Sequence, residues 1–364
     1  MRAFIEFPYE LYAGDPVWIP PLLTEQRHTF SPTSAFFEHA QVQLFVAYRD
    51  GRPVGRVSAQ IDQLRVDRYA DATGHFGFLE AIDDPAVFAA LLAAAEEWLR
   101  AQGMQRVIGP FNPSINGDIG ILVEGFEHPP VFLTGHGRPY YDPRVQALGY
   151  HKVKEVVAYS LDPTATPPRT MVEAARRARE AARVRIRPLD KSRIKAETDL
   201  IARVFNDAWE HNWGFVQWTK AEFGELGSAL RFFVSRDLVQ FAEVDGETAA
   251  ILVVVPNLNE LIGDLHGRLL PFGWAKLLWR LRFKRPKSAR VALMGVGQKF
   301  QSSSLAMGLV FGLIEAIRQS GAATGMRYIE MGWVLEDNFA LVRLMRLLGG
   351  RKYKTYRLYE KSLP

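Results

Sequence analysis

The sequence of 364 residues contains no cysteine. This absence excludes disulfide bonds, thiolate metal sites and a cysteine nucleophile, and it fits a reducing compartment. A long apolar run is also missing, because the longest mostly apolar stretch, Leu305 to Ile314, is far shorter than the ~20 residues that span a bilayer. The N-terminus has acidic residues and prolines where a signal peptide needs an unbroken apolar segment. We therefore expect a cytoplasmic protein, soluble or bound peripherally to the inner face of the membrane.

Two signatures of common enzyme classes are missing as well. No histidine pair with an acidic third residue has metal-ligand spacing, so no metal site is predicted. The absence of G-x-S-x-G argues against a hydrolase nucleophile elbow. What is present is a globular composition, with 48% hydrophobic residues, 23% charged residues and a net charge of +5. This charge favours anionic partners such as phosphates or acidic lipid head groups, whereas nucleic acid is disfavoured because no recognition motif accompanies the dispersed basic residues.

One stretch lacks acidic residues and is rich in aromatic and basic ones. Leu269 to Lys287 holds five Leu, two Trp, two Phe and six Lys or Arg. On a helix opening at Pro271 these side chains fall on separate faces: a basic stripe of Lys276, Arg280 and Lys284, an apolar face of Trp274, Leu277, Leu278 and Leu281, and a flank of Phe272, Trp279 and Phe283. Such a helix suits an anionic membrane interface. The alternative is a basic-edged helix packed into the core of the domain.

The chain divides at Asp162 to Pro168, a linker by composition, which a charged Ala/Arg helix follows. Asp50-Gly51 and Asp245-Gly246 each predict a β-hairpin, and the two halves show the same order of strands and helices. We therefore predict an N-terminal domain at 1–161, a linker and connecting helix at 162–183, and a C-terminal domain at 184–364. The halves share little residue identity, so the duplication is structural at most.

From Val296 the second half reads VGQKFQSSSLAMGL, between a predicted strand and a long predicted helix. Small residues at a helix N-terminus let backbone N–H groups approach a pyrophosphate, although an ordinary helix cap is the alternative. The segment resembles the coenzyme A loop of the GNAT N-acyltransferase superfamily, [QR]-x-x-G-x-[GA], with Ser in place of the central Gly. The resemblance implies coenzyme A contacts at Val296, Gln301, Ser302, Ser303, Ser304, Leu305 and Ala306.

A second segment, VLEDNFALVRLMRLLGG, resembles the GNAT pattern of an Asn after the fifth strand, followed by Leu-Tyr and then Gly-Phe. The matching positions are Asn338, Leu344, Met345, Gly349 and Gly350. The resemblance adds Asn338 to the implied coenzyme A contacts. Met345 stands where the family often has a Tyr that protonates the departing thiolate, and a thioether cannot donate a proton. The general acid therefore stays open.

The first half has the same element order but no phosphate loop. FGFLEAIDDPAVFAAL lacks the small residues, and Glu80, Asp83 and Asp84 would repel phosphates, so we expect a degenerate half without cofactor. Across the chain, FPYELYAGDPVWIPPL, GHFGFLEAIDD, GPFNPSINGDIGILVEGF and WVLEDN are similar to the tandem-GNAT proteins that include bacterial ceramide synthases. The resemblance implies an α/β (α+β) fold of two GNAT-like domains, each a mixed, largely antiparallel sheet flanked by helices.

The same resemblance implies acyl transfer from acyl-coenzyme A, without a metal, to a long-chain, sphingoid-like amine. Such a reaction needs a base and an oxyanion donor, and a backbone N–H near Val296 is the expected donor. Glu330 and His211 are the candidate bases, although a surface carboxylate and a structural histidine are the alternatives. Trp213 and Phe215, in the same EHNWGF segment as His211, are candidates for lining an acyl or alkyl channel. His266 and Trp274 complete the candidate substrate contacts.

Two other functions stay open at this point. The acceptor could be a small soluble amine or amino acid, or the protein could bind acyl-coenzyme A or membranes without catalysis, as Met345 and the degenerate first half would allow. A long apolar tunnel between the halves would favour a lipid acceptor, and a short polar pocket would favour a small amine. The acyl-chain length and the oligomeric state are not predicted.

Overall fold

The computed structural model describes residues 1–180, 183–230, 234–303, 305–320 and 325–364. The elements up to the linker are, in chain order, α1 (Arg2–Leu11), α2 (Leu23–Thr29), β1 (Ala40–Arg49), β2 (Arg52–Asp62), α3 (Gln63–Tyr69), β3 (Thr73–Ala81), α4 (Pro85–Ala101), β4 (Arg106–Gly109), β5 (Phe111–Asn112), β6 (Asp118–Ile119), β7 (Ile121–Glu124), α5 (Tyr141–Gln146) and β8 (His151–Leu161). The hairpin predicted at Asp50-Gly51 joins β1 to β2, with Arg49 opposite Arg52.

The elements after the linker are α6 (Arg169–Glu180), β9 (Val184–Pro188), α7 (Ile194–Trp209), α8 (Lys220–Leu230), β10 (Val239–Val244), β11 (Glu247–Pro256), α9 (Asn259–Ile262), α10 (Gly273–Phe283), β12 (Ser288–Val296), α11 (Gln298–Gln301), α12 (Ala306–Gln319), β13 (Tyr328–Leu335), α13 (Phe339–Leu347) and β14 (Arg351–Ser362). The second hairpin forms as predicted, with Val244 opposite Glu247. The long apolar run of β11 is buried on both faces, as expected of a central strand.

The described strands form one sheet of twelve and a separate pair, β5–β6. The order in the large sheet is β1-β2-β3-β4-β14-β8-β13-β12-β11-β10-β9, with β7 paired to β14. Most neighbours are antiparallel, and β3–β4 and β12–β13 are parallel. Helices flank the sheet, so the predicted fold class is confirmed.

The last strand of each half lies against the other half. β8 pairs with β13, from Leu161 opposite Ile329 to Val156 opposite Leu335. β14 pairs with β4, from Gly109 opposite Tyr359 to Arg106 opposite Ser362. Because β8 and β14 also pair with each other, the two strand sets merge into one continuous sheet. This exchange makes each half dependent on the other for its hydrogen-bonded neighbours.

Three of the four apolar clusters among the described residues follow from this arrangement. One surrounds α4 in the first half, another lies between β10–β12, α7 and α12 in the second half, and a third forms where the halves meet. The third cluster joins Ile108 and Leu122 of the first half to Leu335 of β13 and Leu358 of β14. The junction is therefore a packed core.

The chain from Ile194 to Leu230 does not form one long helix. It forms two helices, α7 and α8, separated by an irregular segment that holds the EHNWGF motif. That segment has Gly214 at a positive φ of 68°, which a continuous helix cannot include. The proline-punctuated N-terminal segment begins with α1, a helix with Pro8 inside it. Its strong apolar face, including the buried Phe4 and Phe7, outweighs the local cost of the proline.

Candidate active site

The two strands at the centre of the second half separate midway. β12 and β13 pair in parallel from Ser288 opposite Tyr328 to Val291 opposite Met331. Beyond that point β12 continues beside β11, and β13 continues beside β8. We call the resulting gap the second-half splay. Along it, the backbone groups of β12 and β13 are not hydrogen-bonded to each other. Ala292, Met294, Gly332 and Trp333 line the opening.

The segment after β12 turns directly into two helices. The Gln301 side-chain amide donates hydrogen bonds to the carbonyl oxygens of Val296, at 2.9 Å, and Ala208, at 3.2 Å. Ser303 Oγ donates to the carbonyl oxygen of Phe300 at 2.7 Å. Ser302 is exposed, and Leu305 and Ala306 are half-buried at the start of α12. Ser304 lies outside the described residues, and the contribution of the whole loop to donor binding stays a prediction.

The start of α13 carries the second matched pattern. Asn338 Oδ1 accepts a hydrogen bond from the backbone N–H of Leu341 at 3.1 Å, so Asn338 is the N-cap of this helix. Glu336 and Asp337, which precede the same helix, form ion pairs with Lys152 at 2.8 Å and with Lys154 at 2.7 Å. Met345 is completely buried. Capping alone accounts for Asn338, and its coenzyme A contact stays a prediction.

A cavity of about 930 Å³ extends from the second-half splay into the first half. Its wall is mainly apolar and includes side chains of both halves, among them Ile5, Trp18, Phe36, Phe78, Phe205, Trp209, Leu293 and Leu341. The parallel strands of the first half, β3 and β4, also separate, after His75 opposite Ile108, and Phe78 and Glu80 beyond that point line the same cavity. Both splays therefore open onto one shared space.

A few buried charged groups interrupt the apolar wall on the first-half side. Glu80 Oε2 accepts hydrogen bonds from the hydroxyls of Tyr12, at 2.7 Å, and Tyr141, at 2.5 Å. Burial raises the pKa of the Glu80 carboxyl. Arg56 donates from Nη1 to the carbonyl oxygen of Phe4 at 2.8 Å, and burial lowers the pKa of its guanidinium. Glu80 thus lies inside the cavity wall, away from the start of α4 where we expected it to repel phosphates.

Other charged groups lie where the first half meets the second-half splay. Arg290 of β12 donates from Nε to the carbonyl oxygen of Gly332 at 3.0 Å, and from Nη1 to the carbonyl oxygen of Leu133. Asp118 Oδ2 accepts a hydrogen bond from the Asn112 side-chain amide at 3.1 Å, and burial raises the pKa of the Asp118 carboxyl. Both Arg290 and Asp118 line the cavity. The segment between β7 and α5 is thereby anchored to the splay by hydrogen bonds.

Similarity to known proteins agrees with this geometry, although no protein-family model matches the chain. The chain is 47% identical to the bacterial ceramide synthase of Caulobacter vibrioides, covering 100% of this chain and 95% of that protein. It is 42% identical to protein YghO of Escherichia coli, covering 100% of this chain and 93% of that protein. This chain belongs to the bacterial ceramide synthase family.

Solved structures show the fold of this bacterial ceramide synthase family member. A tandem GNAT protein from the clavulanic acid biosynthesis pathway superposes with a TM-score of 0.56 at 14% identity, covering 100% of this chain and 95% of that one. The glucosamine N-acetyltransferase region of a fungal multi-domain β-N-acetylglucosaminidase superposes with a TM-score of 0.58 at 15% identity, covering 98% of this chain and 37% of that one. The chain therefore has the tandem GNAT fold, and as a member of the bacterial ceramide synthase family it is an N-acyltransferase.

The structure of this ceramide synthase family member buries Glu330 behind the cavity wall. The Tyr353 hydroxyl donates a hydrogen bond to Glu330 Oε2, and Glu330 Oε1 lies 3.5 Å from Arg290 Nε without a hydrogen bond. Glu330 is fully buried, so the surface-carboxylate alternative is excluded, but it is not among the residues that line the cavity. Its role as the base stays a prediction.

The EHNWGF residues separate in the fold. His211 is exposed, and its Nε2 lies 3.1 Å from Gln298 Oε1. Trp213 lines a second, smaller cavity of about 220 Å³, together with His75 and Ile115. Phe215 is buried and packs beneath the guanidinium of Arg68. None of these three lines the large cavity among the described residues, so a substrate contact there stays a prediction for each.

The basic, aromatic segment forms α10, which begins at Gly273, two residues after Pro271. The core-helix alternative is wrong, because no residue of α10 is buried. Leu270 is 79% exposed, Phe272 77%, Trp274 50% and Leu278 59%, while Leu277 and Leu281 are half-buried. The basic stripe is partly neutralised, because Lys276 and Arg280 both form ion pairs with Asp264. His266 is exposed just before this segment.

Sequence reasoning missed several polar residues of the cavity, which come from the two short strands β5 and β6 and from loops. Asp118 and Asn112 lie in GPFNPSINGDIGILVEGF, where an Asn, Ser and Asp cluster between apolar strands was the available signal. Asp15 and His136, which also line or adjoin the cavity wall, lie 121 residues apart in the sequence. Among the described residues, no group of three or more His, Asp and Glu could hold a metal ion. In the same part of the chain, every helix is too short or too polar to cross a membrane.

Proposed function

We propose that this N-acyltransferase transfers an acyl chain from acyl-coenzyme A to a long-chain, sphingoid-like amine that it takes from an anionic membrane surface. The donor would enter at the second-half splay, with its pyrophosphate at the start of α12, where backbone N–H groups and the helix dipole favour negative charge. The acyl chain and the acceptor would share the cavity of about 930 Å³, which lies at the upper end of ordinary ligand pockets. The name of the Caulobacter relative agrees with a lipid acceptor.

The observation that carries this proposal is the exposed apolar surface beside the cavity. Leu270, Phe272, Trp274 and Leu278 form a patch that solvent does not favour, with exposed Arg282, Lys284, Arg285 and Lys287 following in the sequence. α10 is attached to α9 by a 2.7 Å hydrogen bond from Arg280 to the carbonyl oxygen of Leu261. Asn259 and Ile262 of α9 line the cavity. A lipid leaving a membrane under α10 would therefore have a short path inward.

An acceptor screen tests the substrate class. With acyl-coenzyme A as donor, release of the free coenzyme A thiol should be fast with long-chain amino alcohols, and the KM for the amine should rise steeply as its chain is shortened. Equal turnover with short, soluble amines would favour the alternative of a small acceptor, which the buried Arg56 and Glu80 in the cavity wall would suit. Tight acyl-coenzyme A binding without thiol release for any amine would identify a silent binding protein.

Vesicle binding tests the membrane surface. Changing Phe272 and Leu278 together to Ser should weaken the affinity for phosphatidylglycerol vesicles, measured by sedimentation, about tenfold or more. Each substitution removes a large apolar side chain from the insertion surface. Added salt should also weaken binding of the unaltered protein, since acidic lipids attract the basic residues. Tyr48→Ser removes a similarly exposed aromatic on β1 and serves as the matched control. Unaltered protein that ignores anionic vesicles at low salt would contradict the proposal.

A further inference from the structure

A buried histidine in the cavity wall has the environment of a general base. His136 lies in the segment between β7 and α5, its side chain is 5% exposed, and it lines the cavity. Its Nε2 lies 3.4 Å from Asp15 Oδ2. Its Nδ1 is buried and has no hydrogen-bond partner among the described residues. Because buried polar atoms in native proteins are nearly always paired, an unpaired ring nitrogen beside a cavity indicates a place for a ligand's N–H.

Asp15 is itself held firmly. Its Oδ1 accepts hydrogen bonds from the backbone N–H groups of Val17, at 2.9 Å, and Trp18, at 3.2 Å. Arg138 Nη1 lies 2.9 Å from Oδ2, the oxygen that also faces His136. Burial alone would raise the pKa of Asp15, but these N–H groups and the nearby positive charges lower it. An ionised Asp15 accepts the Nε2 proton, so a neutral His136 carries its lone pair on Nδ1.

Charged groups on three segments act on His136 in opposite directions. Burial lowers the pKa of the imidazole, Asp15 opposes this change, and the cations Lys354 of β14 and Arg138 assist it. The ring of Tyr12, directly after α1, packs 5.5 Å away between centroids. The imidazole is therefore neutral near pH 7 and able to take a proton.

The segment that carries His136 is anchored at the second-half splay. Arg290 of β12 donates to the carbonyl oxygen of Leu133, three residues earlier. Gly135, the preceding residue, packs against the carboxylate of Asp118, so closely that a Cβ there would lie 2.6 Å from Oδ2. His136 thus belongs to the wall between the two splays, where a donor entering from one half and an acceptor entering from the other would meet.

We propose that His136, oriented by Asp15, is the general base that deprotonates the attacking amine. The inference rests on the proposed function. The amine nitrogen attacks the thioester carbonyl carbon, the C–N bond forms and one N–H proton passes to His136 Nδ1. The C–S bond then breaks, and the thiolate takes a proton from water while His136 returns its proton to water. The products are the amide and the coenzyme A thiol, and Asp15 acts as a positioning residue.

The test compares three variants with the unaltered protein, using a long-chain amine and acyl-coenzyme A. His136→Gln should lower kcat by about 10²- to 10⁴-fold, the usual contribution of a positioned base, with an unchanged Kd for acyl-coenzyme A. His136→Ala should regain activity with added imidazole, which a merely structural histidine would not allow. His151→Gln changes an exposed histidine on β8 and should retain full activity.

The pH profile supplies a readout that needs no folded His136 variant. In the unaltered protein, kcat should fall as the pH drops below the ordinary histidine pKa of about 6.5, because burial lowers the pKa of His136 and only the neutral ring is a base. Asp15→Asn should move this acidic limb to still lower pH and reduce kcat. A limb due to the acceptor's own ammonium group would follow the acceptor when the amine is changed, and it would be the same in all variants.

The competing base is Glu330. Under our proposal, the Glu330→Gln variant keeps the acidic limb of the pH profile and has only a lower plateau, because Arg290 is disturbed. If Glu330 were the base, the limb would instead be lost in Glu330→Gln and kept in His136→Gln. If the unaltered protein is active, the role of His136 would be overturned by a His136→Gln variant that retains kcat, or by a His136→Ala variant whose activity does not rise with imidazole. The proposed function would then still stand. An unaltered protein that acylates no long-chain amine would overturn the proposed function, and this role with it.

Discussion

The two splays share a backbone frame and differ in what closes them. In each half a parallel strand pair separates after three or four residue pairs, and a helix follows the first strand. At the start of α4, Asp84 accepts a hydrogen bond from the N–H of Ala86 at 2.8 Å and pairs with Arg49 at 2.6 Å. At the start of α12, Leu305 is the N-cap and offers no such side chain. A helix N-terminus that already holds its own carboxylate has less attraction for a phosphate.

The gaps differ as well. In the first half, Asn112 Oδ1 accepts a hydrogen bond from the N–H of Phe78 at 2.5 Å, and a Cβ on Gly77 would meet the carbonyl oxygen of Phe111 at 2.0 Å. The short strand β5 thus fills part of that splay. In the second half, Gly332 and Trp333 border the cavity directly. Duplicated backbones therefore need not have duplicated chemistry, because side chains at a few positions decide which gap admits a ligand.

Separating the halves is the most drastic way to break this comparison. Fragments 1–162 and 163–364, each produced alone, should fail to show cooperative unfolding, because β4 and β7 lose β14 while β13 loses β8. Produced together, they should associate and recover a single thermal transition in circular dichroism. A monomeric fragment with its own sharp transition would show that the halves are independent after all.

Buried groups of opposite charge make the stability of the two sides of the cavity depend on pH in different ways. Glu80 lies on the first-half side of the cavity, while Lys354 lies on β14, where burial lowers its pKa to about 8. Since an unfolded lysine has a pKa of about 10.4, the charged Lys354 destabilises the fold below pH 8, and this cost disappears as the pH rises toward 10.4. The change in the free energy of unfolding that Lys354→Met causes should therefore be about 2 to 3 kcal/mol more stabilising at pH 7 than at pH 10.

Urea denaturation at both pH values measures this difference. Lys352→Met, which changes a more exposed lysine of the same strand, is the control. A Lys354→Met effect that does not depend on pH would mean that the lysine is hydrated in the folded protein.

The smallest predicted effect tests the two helix starts directly. Ala306→Asp places a carboxylate at the first residue of α12 and should weaken acyl-coenzyme A binding about tenfold, or 1.4 kcal/mol, by repelling the pyrophosphate. Pro85→Asp makes the equivalent change at the first residue of α4 and should leave the affinity unaltered. Calorimetric titration measures both. Equal losses would place a phosphate site in the first half, and no loss in Ala306→Asp would remove the donor from α12.

Local patterns predicted much of this fold. The two hairpins and the strand–loop–helix around Val296 depend on residues close in sequence, so turn chemistry and periodicity were sufficient. The exchange of β8 and β14 could not be predicted in this way. The residue pattern of a strand does not show which half it pairs with, because that choice depends on packing between segments far apart in the sequence.

The candidate site was predicted less completely for the same reason. The α12 segment was visible because one contiguous stretch carries it. Glu330 was chosen from its strand position, which cannot tell whether a buried carboxylate faces the cavity or lies behind Arg290. Asp15 and His136 lie in loops without periodicity, and only the tertiary fold brings them together. The exposure of α10 was not decidable either, since an amphipathic pattern fits both a core and an interface.

The exchanged strands also affect how the protein is made. β4 leaves the ribosome more than two hundred residues before β14, the neighbour that completes its hydrogen bonding. At about 5 to 20 residues per second, this edge waits for roughly 10 to 50 s during synthesis. An unpaired β edge is a template for aggregation, so the nascent first half is vulnerable for that period. Slow translation of the second half, or a stalled ribosome, would therefore lower the yield of the whole protein. The reduction would be larger than the one normally expected when a late, peripheral strand is missing.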